Sequence, residues 1–172
     1  MKKKDLLIPF ILLLTLFSCS KLEDSDNEFD LKAAQMEQIG GLFDAIARQP
    51  EAANVLIQSA EMAYSDYNEL LPISDKAITL RGKARGYAFS MLFSAIARQP
   101  EAFDVLEGAA EKFLGPYDPD YISKDLLVVT KAYSVSALME SIARQPEAVS
   151  LFNIVSKKYL NYQISSESVH VR

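Results

Sequence analysis

The chain has 172 residues, 49% of them apolar and 24% charged, with 18 basic against 23 acidic side chains and a formal charge of −5. That balance excludes a wholly disordered or collagen-like chain, and the acidic excess argues against a general nucleic-acid binder, which needs a basic face for phosphates. One Cys and one His exclude an internal disulfide, a Cys-based zinc site and most His-dependent chemistry.

The first element is a leader. Lys2, Lys3 and Lys4 precede a twelve-residue apolar run, Leu6 to Phe17, too short for the roughly 20 residues that span a bilayer and suited to the apolar region of a signal peptide. The run closes on Leu16-Phe17-Ser18-Cys19, which resembles a bacterial lipobox. The resemblance implies a signal peptide over 1–18, diacylglycerol on the Cys19 sulfur, cleavage before Cys19 and acylation of the new amino terminus. Cys19 is then a lipid anchor and not a nucleophile. Cleavage leaves 154 residues with 15 basic and 22 acidic side chains, a net charge of −7.

Residues 19–30 read as an acidic tether. Glu23, Asp24, Asp26, Glu28 and Asp30 fall in a stretch with little to bury. Cys-Ser-Lys followed closely by acidic residues is similar to the surface-export signals of Bacteroidota lipoproteins. This implies an outer-membrane lipoprotein displayed at the cell surface; the alternatives are a periplasm-facing anchor and a plain spacer or helix start, since Ser25 and Glu28 have capping-box spacing.

The remainder is built on a repeat. Ile46-Ala47-Arg48-Gln49-Pro50-Glu51-Ala52 recurs unchanged at 96–102 and 142–148, at offsets of 50 and 46 residues. Before the second copy, Ala84, Ala88, Met91, Leu92 and Ala95 keep helical spacing; before the third, Val128, Ala132, Val135, Met139 and Ile142 do so. After the copies, Ala102, Val105, Leu106, Ala109 and Phe113, and Ala148, Leu151, Phe152, Val155 and Tyr159, repeat the pattern. Each series is expected to be the buried stripe of an amphipathic helix.

The heptapeptide is the corner between two such helices. Arg suits the negative end of the first helix, Pro breaks it and opens the second, and Glu suits the second helix's positive end. The expected architecture is all-α: six helices over roughly 30–48, 50–67, 75–98, 100–114, 120–144 and 146–162. These pair as three stacked antiparallel hairpins in a short α-solenoid-like domain, 31–162, with units of about 31–70, 75–115 and 120–162 and a tail over 163–172. Ser74 is a candidate N-cap for the third helix, and Asp118-Pro119-Asp120 for the fifth. The repeat length exceeds that of tetratricopeptide units and overlaps that of HEAT units, whose residue pattern does not match here.

Candidate chemistry is sparse. Arg48, Arg98 and Arg144 should line one edge about 10 Å apart, either as an anion-binding row or as structural caps pairing with Glu51, Glu101 and Glu147. The recurrence of Pro50, Pro100 and Pro146 favours the structural joint. His170 lies in the tail, away from any orienting acid. Asp118-Pro119-Asp120 lacks the Asp-x-Asp-x-Asp-Gly pattern of a calcium loop, and no pair of acids stands out for glycoside hydrolysis. The eight Tyr, from Tyr64 to Tyr162, fit core filling better than a sugar platform, and Arg81, Lys83 and Arg85 read as solvated helix surface. No catalytic residue, metal site or cofactor is expected. The leading expectation is a lipid-anchored, non-enzymatic interaction or scaffolding module with an envelope protein partner. The alternatives are a glycan-binding accessory protein and, more remotely, a carboxylate-dependent envelope hydrolase.

Overall fold

A computed structural model describes residues 30–64, 75–120 and 122–164. It is all-α, and no strand occurs among the described residues. The helices are α1 (Leu31–Arg48), α2 (Ala53–Tyr64), α3 (Asp75–Arg98), α4 (Phe103–Phe113), α5 (Lys124–Arg144) and α6 (Val149–Leu160). A 3-10 turn follows each Pro of the repeated corner, at Pro50–Ala52, Pro100–Ala102 and Pro146–Ala148. The second helix of each unit therefore begins three residues later than its Pro suggested.

Two starts show different capping. The Asp30 carboxylate accepts from the Ala33 N–H at 3.0 Å, so α1 begins with a side-chain cap. At α5 the expected Asp118/Asp120 cap is not formed. Asp118 instead accepts from the Asp120 N–H at 2.9 Å in a local turn, and Ser123 caps the helix through the Leu126 N–H at 3.2 Å. An Asp side chain turned back on its own loop is unavailable to a helix, and α5 starts at Lys124. Ser74 lies outside the described residues.

The long helices lie in a row, with α3 between α1 and α5 and packed extensively against both. Two of the short helices bridge the row: α4 touches α1 and α3, while α6 touches α5 and α3; α2 packs on α1. The short helices are also joined to one another, α4 to α2 through Lys112 and Glu61, and α6 to α4 through Lys158 and Glu107.

Close approach within the row depends on small residues of α3. A Cβ on Gly86 would fall 2.5 Å from Tyr133 Cβ and 2.9 Å from Thr130 O, and one on Gly82 would fall 2.6 Å from Val129 Cβ. Any side chain at either position would push α5 away. The Ser90 hydroxyl adds a bond across the same seam, donating to Tyr133 O at 2.9 Å.

The core sits where α3 meets the short helices. Phe89, Phe93, Leu92 and Ile96 of α3 are buried with Leu106 of α4 and with Phe152, Val155 and Tyr159 of α6. Phe93 meets Phe152 edge-on with ring centres 6.3 Å apart, and Phe89 meets Tyr159 at 5.8 Å. Burying rings of this size contributes about 1.5–3 kcal/mol each, so α3 is the spine of the domain.

The expected stripes hold for α3 and α6, and for α4 except at Val105, which is exposed, but not for α5. Val128 and Met139 are 64% and 59% exposed, and Ala132 is exposed between them. The buried positions of α5 are Leu127, Thr130, Ser134, Leu138 and Ser141. Two of these hydroxyls are satisfied within the helix, Thr130 Oγ1 donating to Leu126 O and Ser134 Oγ to Thr130 O. Intrahelical bonds of this kind let a polar residue be buried at little cost, so packing did not require the more apolar face to turn inward.

Candidate functional site

The repeated corner has the same geometry three times. Gln49, Gln99 and Gln145 adopt φ/ψ of −145/70, −143/66 and −139/67, outside the helical region that a following Pro disfavours. The N–H of Ala52, Ala102 and Ala148 then bonds back to the Gln carbonyl at 3.0, 3.0 and 3.1 Å. Three different neighbourhoods give one conformation, so the heptapeptide itself encodes the bend.

The Arg row is matched by carboxylates, but not by those of the corner. Arg48 pairs with Asp44 and Arg144 with Glu140, each one turn earlier on its own helix. Arg98 reaches the preceding unit, with Nη2 2.6 Å from Asp44 Oδ1, and donates from Nε to Ser94 O at 3.3 Å. The Arg98 hydrogen bond, followed by Arg48, holds the Asp44 carboxyl below its ordinary range. Glu51 and Glu147 instead accept from Gln49 and Gln145, the second at 2.9 Å, and Glu101 is exposed. The expected pairing of Arg48, Arg98 and Arg144 with Glu51, Glu101 and Glu147 is thus corrected. A four-residue helical spacing places the earlier acid beneath Arg48 and Arg144, whereas Glu lies beyond the bend; at Arg98 that position is Ser94, and the carboxylate comes from α1.

Arg81 and Arg85 are also not the solvated surface expected. Arg81 Nε donates to Asp30 Oδ2 at 2.8 Å, tying α3 to the cap of α1. Arg85 is 5% exposed, and its guanidinium lies over the Phe89 ring, 5.2 Å from the ring centre. It donates to Leu114 O at 2.6 Å and Gly115 O at 3.2 Å, so a cation sits at the negative end of α4. Burial lowers its pKa to about 10. Sequence reading missed this residue because a basic side chain is normally solvated; the clue was its position one residue after Ala84 on the buried side of α3.

The remaining charged cluster joins α6 to α4. Lys158 Nζ pairs with Glu107 and, at 3.3 Å, with Glu111, and Tyr159 Oη lies 3.1 Å from Glu107 Oε1. Burial and the Glu107 carboxylate push the Tyr159 phenol up, and the same carboxylate raises Lys158. The cluster ties α6 to α4.

Tyr87 and Tyr133 are wedged against the long-helix seams at Gly40 and Gly86. No group of three or more metal-ligating side chains occurs among the described residues. Cys19 and His170 lie outside them. The described residues leave an exposed apolar stripe on the outside of α5, a helix of 21 residues that is long and apolar enough by length and composition to cross a membrane; α2 also exposes Val55 and Met62. Compared with known proteins, the chain matches no family model, no curated protein and no solved structure.

Proposed function

We propose that the chain is a lipid-anchored envelope lipoprotein whose helical-repeat domain acts as a non-enzymatic interaction module. The observation that carries this reading is the outer face of α5, where Val128, Ala132 and Met139 are exposed while Arg48, Arg98 and Arg144 of the corners are paired within the fold. A contiguous exposed apolar stripe is the signature of a surface that meets a partner. The leader ending in Ser18-Cys19 supplies the anchor, with surface display the favoured side of the outer membrane. Two acyl chains suffice for stable attachment, and the acidic tether would hold the domain clear of the bilayer.

Fatty-acid labelling of the wild type and Cys19→Ala tests the anchor, with label expected only on the wild type. Protease shaving of intact cells tests the side, with loss of the domain expected if it faces outward. Equal labelling of both chains, or a domain whose partner contacts survive Met139→Asp, would overturn the reading.

A further inference from the structure

The middle unit shows what the α5 face is shaped to receive. A shift of 46 residues carries Gly82, Gly86, Ser90 and Phe93 of α3 onto Val128, Ala132, Ser136 and Met139 of α5. On α3 this face is the seat of the next long helix, since Gly82 and Gly86 lie against Val129 and Tyr133, and Ser90 bonds across. On α5 the equivalent face carries Val and Met, and no described residue covers it. The outer stripe thus continues an interface already used inside the chain, and its natural occupant is another helix.

We infer that this occupant is the α5 of a second copy, giving a two-fold dimer with the two α5 helices antiparallel. The opposite end of the row exposes Glu37, Gln38, Gly41 and Arg48 on α1, so head-to-tail stacking would press an apolar face onto charged and polar groups. The stripe is complementary to itself. With the axis near Val135, small Ala132 of one copy meets large Met139 of the other, and Val128 meets the half-buried edge of Ile142, whose inner side packs on the core. The same arrangement brings Lys124 toward the corner that bears Glu147. A lipid surface fits less well, because the charges along α5 are of both signs, from Lys124 and Asp125 to Glu140 and Arg144, whereas interfacial helices carry basic flanks.

This inference rests on the interaction reading above and narrows it to one partner. The test places a photoreactive benzophenone side chain at Val128 in the full chain in its native membrane, with Met139→Asp as the disrupting variant. Positions 139 and 132 are both exposed, so an unchanged helical spectrum is the control for folding; Ala132→Lys serves if Met139→Asp fails it. The expected result is an adduct of twice the chain mass containing only this chain by peptide mapping, lost in the disrupted variant. Capture of a different protein would overturn the dimer while leaving the interaction reading intact. Adducts confined to a single chain, or none, would overturn both.

Discussion

Arg98, at the second corner, reaches across the unit boundary to Asp44 of α1, its Nη2 2.6 Å from Oδ1. The same carboxylate accepts from Arg48. Asp44 therefore joins the ends of α1 and α3 where the backbone of each is about to turn.

Because Arg98, first, and Arg48 hold Asp44 below its ordinary range, the folded state binds this proton more weakly than the unfolded one. The contribution is complete above about pH 4 and fades as pH falls through the depressed folded value. Asp44→Asn should flatten the acid limb of a stability-against-pH curve. Arg98→Ala should lose about 0.5–1 kcal/mol at pH 7, as expected of a partly exposed pair. Urea unfolding at several pH values measures both, and an acid limb unchanged in Asp44→Asn would show that the pair does not act this way.

Two glycines should respond in opposite senses. Gly86→Ala puts a Cβ 2.5 Å from Tyr133 Cβ and should cost about 2 kcal/mol through displacement of α5. Gly108→Ala meets nothing within 4 Å on α4 and should gain about 0.5–1 kcal/mol from the reduced freedom of the unfolded chain. Thermal unfolding of the pair gives the sign directly.

Arg85→Met keeps the stem packed on Phe89 but leaves Leu114 O and Gly115 O without their donor. The expected loss is about 1–3 kcal/mol, with amide exchange rising first at the end of α4.

Ile96→Asp and Leu106→Asp each place a carboxylate without a partner at a fully buried position of the core. Either should abolish cooperative unfolding by circular dichroism, since an unpaired buried charge exceeds the few kcal/mol that stabilise most domains. A wild-type transition in either variant would place the core elsewhere.

The helix count and the bends were legible because the corner is a local code: Pro keeps the preceding Gln out of the helical region whatever surrounds it. The face of α5 was not, because its inward positions include Thr130, Ser134 and Ser141 while Val128 and Met139 point outward. The shift of 46 residues takes buried Ala84, Ala88, Leu92 and Ala95 onto Thr130, Ser134, Leu138 and Ser141, all of which are buried. Register, and not greasiness, marks the inward side of α5. The partners of Arg98 and Arg85 depend on contacts between helices 29 to 54 residues apart in the chain, which no local pattern encodes.

The unlike ends of the helix row give the fold a direction of growth. A duplicated middle unit inserted after α6 would find a ready apolar seat on α5, whereas the same unit inserted before α1 would meet Glu37, Gln38 and Arg48. Lengthening this array by tandem duplication is therefore favourable toward its carboxyl side alone, and the first unit serves as its closed end.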